Sequence, residues 1–146
     1  MNVHILSSIH YREMGAIART LHTKNDTRFP SLGLQKGQFV FLTRLCENPG
    51  ITVVRLAKIA RVDQTTATKA VQKLQGAEYL TRTPDPSDGR SHTLWPTEKA
   101  LAVYIVLVEA ENTDLAVGLE GFSPEEAGLL LSFLIRMREN LDRRVS

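Results

Sequence analysis

Cysteine is nearly absent from this 146-residue chain: Cys46 is the only one. That excludes an internal disulfide and any multi-cysteine metal site, and the apolar neighbours of Cys46 in "FVFLTRLCENPG" predict a buried thiol. Long apolar runs are also missing. The longest, "ALAVYIVLV" from Ala100 to Val108, is about half of what a bilayer span needs. Residues 1–15 lack the basic stretch and apolar core of a secretory leader, so a cytoplasmic protein is expected. Histidine is sparse, and His10, His22 and His92 lie far apart, so no ligand spacing for a metal arises and no cofactor is expected. A glycine-rich phosphate loop, a paired-carboxylate site and a nucleophile elbow are absent as well.

The composition that remains, 42% hydrophobic and 23% charged, is that of one ordinary globular domain, expected to form one compact unit. A net charge of +2 is nearly balanced, but its distribution is not. Residues 1–51 carry +3, residues 52–99 carry +3 and residues 100–146 carry −4. Basic segments ahead of an acidic last third are compatible with one face meeting a polyanion.

Hydrophobic spacing predicts a mainly helical chain. Leu6, Ile9, Ile17 and Leu21, with Met14 alongside, recur at three- to four-residue steps and predict a long helix over about 3–24. "NDTRFPSLG" should break it, and a second helix is expected over about 34–47, stopped by Pro49 and Gly50. Thr52 can cap a short helix over 53–60 and Asp63 another over 64–75, with only "RVD" between them. Two short helices so joined form a helix-turn-helix. "GAEYLTRT" and "SHTLWP" then predict two strands of a hairpin with a long loop, "PDPSDGR", holding out Arg90. Thr97 can cap a long helix to about 117, and Ser123, Pro124 and Glu126 supply the capping-box arrangement for a last helix reaching about 143.

Helix, turn, helix and hairpin is the order of an α+β winged helix. At ~100° per residue, Ala67, Ala70, Val71 and Leu74 fall on one side of the second short helix. The opposite side is centred on Thr65, Lys69 and Gln72, flanked by Thr68 and Lys73, and holds no acid. Hydroxyls and amides can hydrogen-bond base edges, and ammonium groups neutralise phosphate. Gln64 and Thr66 at the start of the helix, and Arg90, Ser91 and His92 in the hairpin, complete the candidate DNA-contacting set. A guanidinium on an extended wing suits a narrow minor groove. Asp88, two residues earlier, can hold Arg90 in one pose by a charge-assisted hydrogen bond.

From Leu34 to Ala100 these residues resemble the MarR family of bacterial winged-helix transcription regulators, in particular its SlyA-like members. The likeness rests on "CENPGITVVRLAKIARVDQTTATKAVQKLQGAEYLTRTPDPSDGRSHTLWPTEKA", on the D-x-R wing of Asp88 and Arg90, and on the Leu-x-x-Thr-Glu-Lys lead into the following helix. The chain departs from the family at Glu78 and Ala100, where glycine is usual, and at Pro96, where an aliphatic residue is common. The resemblance implies a homodimer, and the apolar terminal helices give a separate reason for one. Residues 1–33 and 100–146 are expected to form the dimerisation region around a winged helix over 34–99. Leu6 and Ile9, with Leu130, Leu131, Leu134, Met137 and Leu141 beside Ala127, are the candidate dimer contacts. Such a dimer would set two recognition helices one helical turn of DNA apart on a palindromic operator.

The resemblance further implies repression, released by a small aromatic or anionic effector; Tyr11, Arg12, Met14 and Phe39 are the candidate effector residues. Two competing readings are a winged helix used only for protein contacts and an enzyme pairing Cys46 with a histidine.

Overall fold

The computed structural model describes residues 7–35 and 37–145. Six helices and three strands follow in the order α1 (Ser7–Arg28), α2 (Gln38–Glu47), β1 (Ile51–Thr52), α3 (Val53–Ala60), α4 (Gln64–Gly76), β2 (Leu80–Asp85), β3 (Asp88–Pro96), α5 (Glu98–Gly118) and α6 (Pro124–Val145). A short 3-10 helix, Phe29–Leu32, follows α1. The chain divides into two compact units, Met1–Glu109 and Ala110–Ser146. The expected fold class, mainly helical with an α+β winged helix, is what forms.

The first break comes later than the spacing predicts. α1 runs through Asn25 and Asp26 to Arg28 and stops at the 3-10 helix that carries Pro30. Asn and Asp are only mildly unfavourable inside a helix, whereas proline forbids the ladder. The residues expected to open that helix, including Leu6, lie outside the described residues. α2 begins at Gln38, four residues beyond the expected Leu34. Gly33 and Gly37 take left-handed φ values of 75° and 77°, which a helix cannot absorb, and Gln38 folds back so that its Oε1 accepts from the Gln35 amide at 2.9 Å.

The helix-turn-helix forms as its caps predict. The Thr52 hydroxyl accepts from the Arg55 amide at 3.3 Å, and Asp63 Oδ1 accepts from the Thr66 amide at 2.8 Å. Arg61 closes α3 in the left-handed region at φ 61°, with its amide donating to the Lys58 carbonyl at 3.2 Å. The core beneath is closed: Leu42 and Leu45 of α2, Leu56 of α3, Val71 and Leu74 of α4, and Leu94 of β3 are each fully buried.

The sheet is antiparallel in the order β1-β3-β2. Periodicity could not reveal β1, because two residues carry no alternation and one of them, Thr52, is also the cap of α3. Its Ile51 pairs with Leu94 and its Thr52 with Thr93.

The hairpin loop is short, not long. β2 continues through Pro84 and Asp85, Pro86 and Ser87 make the turn, and β3 begins at Asp88. Proline is tolerated in β2 because β2 is the edge of the sheet, where a missing N–H breaks no ladder bond. The Asp85 carboxylate organises the turn, its Oδ1 accepting from the Ser87 amide at 2.9 Å and the Ser87 hydroxyl at 2.7 Å. These bonds hold the Asp85 carboxyl below its usual range.

The hairpin is fastened at its base. The Tyr79 hydroxyl donates to the Leu32 carbonyl, and Lys99 Nζ lies 4.5 Å above the Tyr79 ring while donating to the Ala77 carbonyl at 2.7 Å. Thr97 Oγ1 donates to the Glu78 carbonyl at 2.8 Å and accepts from the Ala100 amide at 3.2 Å, capping α5 as expected. Glu78 sits at φ 64°, which explains why the resembling family uses glycine here. A side chain in that region costs roughly 1–2 kcal/mol. α6 starts with the expected capping box, Ser123 Oγ accepting from the Glu126 amide at 3.1 Å and Glu126 Oε2 from the Ser123 amide at 2.8 Å.

Candidate nucleic-acid interface

α4 divides its side chains cleanly. Ala67, Ala70, Val71 and Leu74 are buried against the winged-helix core, which fixes the rotation of the helix about its axis. Gln64, Thr65, Thr66, Lys69, Gln72 and Lys73 are exposed on the other side, and Thr68 is half-buried. Gln64, Thr65, Thr68, Lys69 and Gln72 line one shallow depression. Neither an aspartate nor a glutamate lies within α4. The acid at its start, Asp63, is committed to the helix: Oδ1 accepts from the Thr66 amide at 2.8 Å and Oδ2 from the Thr66 hydroxyl at 2.7 Å. Those two bonds hold its carboxyl below the usual carboxylate value. The exposed side of α4 is therefore cationic and rich in hydrogen-bonding groups, and its N-terminus adds the partial positive charge of the helix dipole.

Arg90 is not at the tip of a loop. It belongs to β3, on a bulge: Pro84 pairs with His92 and the next residue, Asp85, pairs with Asp88, so Gly89, Arg90 and Ser91 have no partners across the ladder. Extra residues on one strand bend it locally, and Arg90 is exposed. Asp88 does contact Arg90, but through the backbone. Its Oδ1 accepts from the Arg90 amide at 3.0 Å, and no ion pair between the two side chains occurs among the described residues. An aspartate that accepts from an amide two residues on is an Asx turn. It sets the path of the bulge rather than the pose of the guanidinium, a correction to the side-chain pairing expected from the spacing. Ser91 is half-buried and His92 exposed beside Arg90.

Further cations lie on the helix-turn-helix and the hairpin. Arg55 and Lys58 on α3 and Arg61 in the connecting turn are exposed. The projection of α4 alone missed them, and the net charge of residues 52–99 was the signal that held them. Arg82 on β2 pairs with Leu94, and its Nε is buried without a hydrogen-bond partner among the described residues.

The four candidate effector residues are not gathered together. Phe39 is buried on α2, its ring 5.5 Å from Phe29 and 6.1 Å from His22. Arg12 and Tyr11 are exposed on α1, with Tyr11 77% accessible, and Met14 is partly exposed. A different stretch of α1 forms a groove, lined by Gly15, Ala18, Arg19, His22, Thr23, Asp26 and, from the turn before α2, Gly37.

Cys46 is half-buried, less enclosed than its apolar neighbours predict. Burial and the charge of Glu47 push its thiol up to about 11, so it is protonated near neutral pH and has little of the thiolate character a nucleophile needs. Among the described residues no group of histidine, cysteine and acidic side chains could hold a metal ion, and no helix is long and apolar enough to cross a membrane.

On the terminal helices the apolar stripes face solvent in the single chain. Ile9 is 48% accessible on α1; on α6, Leu130, Leu134 and Met137 are exposed, and Leu131 and Leu141 reach 60% and 63%.

Comparison with known proteins agrees with this geometry. Residues 34–92 match the MarR family. The chain is 38% identical over 132 residues to the uncharacterized HTH-type transcriptional regulator YybA of Bacillus subtilis, a match covering 90% of this chain and 88% of that protein. A solved MarR protein from Peptoclostridium difficile is 40% identical with a TM-score of 0.90, over 99% of this chain and 94% of that one. A MarR family transcriptional regulator from Listeria monocytogenes, solved with 26mer DNA, is 34% identical with a TM-score of 0.86, over 90% of this chain and 87% of that one.

Proposed function

This chain belongs to the MarR family, and from that premise we propose that it is a homodimeric repressor of transcription, bound to a palindromic operator in the cytoplasm. Members of the family are transcription regulators rather than enzymes, and the protonated thiol of Cys46 agrees with that. In this reading α4 enters the major groove. Gln64, Thr65 and Gln72 meet base edges or phosphates there, and Lys69 and Lys73 neutralise charge. Arg90, carried on the bulge of β3 with Ser91 and His92 beside it, reaches the adjacent minor groove.

The observation that carries the reading is the division of α4: an acid-free, hydrogen-bonding side left in solvent by a helix whose opposite side is locked into the core. The dimer is supported by the exposed apolar side chains of α1 and α6, since a second copy supplies what they could be buried against. Two α4 helices one DNA turn apart would then match an operator of the same twofold symmetry. The proposal extends to release by a small aromatic or anionic ligand. The groove beside Arg19 and His22 offers a cation and a ring to such a ligand, and Tyr11, Arg12, Met14 and Phe39 remain the residues that the family resemblance suggests.

Selection of duplexes from a random pool, followed by titration of the recovered site at several salt concentrations, tests the reading. A palindromic consensus whose affinity falls steeply with salt is expected, because phosphate neutralisation releases counterions. Recovery of no consensus and an affinity independent of salt would instead favour a winged helix used for protein contacts.

A further inference from the structure

The three threonines near the start of α4 differ in what their hydroxyl protons are doing. Thr66 Oγ1 donates to Asp63 Oδ2 at 2.7 Å. Thr68 Oγ1 donates to the backbone carbonyl of Gln64 at 2.8 Å. Thr65 is exposed, and among the described residues its hydroxyl has no partner. A hydroxyl has one proton to give. Phosphate oxygens, guanine O6, purine N7 and thymine O4 all accept. Thr65 can therefore meet them at no internal cost, whereas Thr66 and Thr68 would have to exchange one hydrogen bond for another, with no net gain. What Thr68 has left is its two acceptor lone pairs and a methyl group, and it lines the same shallow depression as Thr65.

We propose that these neighbours read DNA by different chemistry: Thr65 as a hydroxyl donor to a base edge or phosphate, and Thr68 as a methyl contact that favours thymine. The inference rests on the reading of α4 as the DNA-facing helix and adds which of its atoms carry specificity. Thr66 belongs to the helix cap and contributes no donor to the interface.

Serine and valine separate the two roles, since serine keeps the hydroxyl and valine keeps the methyl. On the selected duplex, Thr65→Val should lose about tenfold in affinity and Thr65→Ser should match wild type. Thr68→Val should match wild type. With thymines replaced one at a time by deoxyuridine, wild type and Thr68→Val should lose about tenfold at one or two positions, and Thr68→Ser should be indifferent there. Thermal melting of each variant separates these losses from a folding defect. The division is overturned if well-folded Thr68→Val loses as much as Thr65→Val, if Thr68→Ser stays sensitive to the missing thymine methyl, or if no deoxyuridine position matters to wild type. Failure of wild type to recover any duplex would overturn the regulator reading itself and this inference with it, a result distinct from all three.

Discussion

The winged helix and the terminal helices use the same kinds of side chain to opposite ends. In the winged helix, Leu42, Leu45, Leu56, Leu74 and Leu94 are wholly buried within one chain. On α6, Leu129, Leu131 and Leu141 are each more than half exposed, and on α1 Ile17 is 60% exposed. Apolar stripes of comparable regularity thus find their partners inside the chain in one region and do not in the other. The winged helix is energetically closed, whereas the terminal helices keep an apolar surface available for a partner. At about 25 cal/mol per Å² of buried apolar area, covering even part of these stripes stabilises an assembly appreciably.

One leucine from each region breaks or sharpens that contrast. Leu131→Asp should convert the proposed dimer to a monomer and lower operator affinity by about 10²–10⁴, because two linked recognition helices lose their joint hold on one site. Leu74→Ala should act the other way, lowering stability by about 2–5 kcal/mol through a cavity in the core. Its protomers should still pair wherever they are folded. Sedimentation and operator titration read the first variant, and urea denaturation the second. A wild-type protein sedimenting as a well-folded monomer at micromolar concentration would erase the distinction between the two regions.

The same contrast explains how much was legible in the sequence. α4 was readable to within a residue because its small and branched apolar positions, Ala67, Ala70, Val71 and Leu74, pack within a few turns of one another, and its cap, Asp63, is local. The helix caps that depend on local chemistry appeared where expected, including Thr52, Asp63, Thr97 and the Ser123–Glu126 capping box, although the end of α1 and the start of α2 were displaced by a few residues. What the sequence concealed depended on non-local pairing. β1 exists only because β3 lies beside it. The continuation of β2 through Pro84 depends on β2 being an edge. The Asp88–Arg90 spacing was visible, but whether the carboxylate meets a guanidinium or an amide is set by the bulge, and a bulge is defined by the partner strand. A groove beside Gly37 is lined by another stretch of α1, a juxtaposition of α1 with the turn before α2 that residue types alone do not reveal.

The wing provides a test within the winged helix, at its least buried part. Arg90→Ala should weaken operator binding by on the order of tenfold without lowering the melting temperature. For Asp88 the geometry makes asparagine and alanine differ. Asparagine keeps an oxygen to accept the Arg90 amide, so Asp88→Asn should bind as well as wild type, and slightly better at low salt, where removing an anion near phosphate counts most. Asp88→Ala loses the acceptor and should bind severalfold more weakly, with most of the loss gone in an Arg90→Ala background. Titration of these variants against one operator duplex checks it. Equal losses for Asp88→Asn and Asp88→Ala would mean that the carboxylate charge, acting on the guanidinium, is what matters.

The smallest expected effect lies at the start of α4, where a single carboxylate links the fold of this helix to pH. Asp63 accepts from the amide and the hydroxyl of Thr66, and both bonds favour the ionised form, so its carboxyl titrates below the ordinary value in the folded protein. A depressed folded pKa means that the contribution to stability is fully present above the unfolded value of roughly 4 and is lost as the pH falls through the lower folded value. Asparagine is about as good a cap but cannot ionise. The difference in melting temperature between wild type and Asp63→Asn should therefore be small, constant and in favour of wild type from pH 7 down to about 5, since only the carboxylate also complements the helix dipole. It should then shrink towards zero in acid. Taking the difference between the two proteins cancels the titration of every other carboxylate they share, Asp85 included. Because the cap belongs to the closed region of the molecule, the difference should also be independent of protein concentration, unlike any effect at Leu131. A gap that stays constant into acid would mean that Asp63 acts only as a neutral hydrogen-bond acceptor, and a gap that grows with dilution would tie the start of α4 to the terminal helices after all.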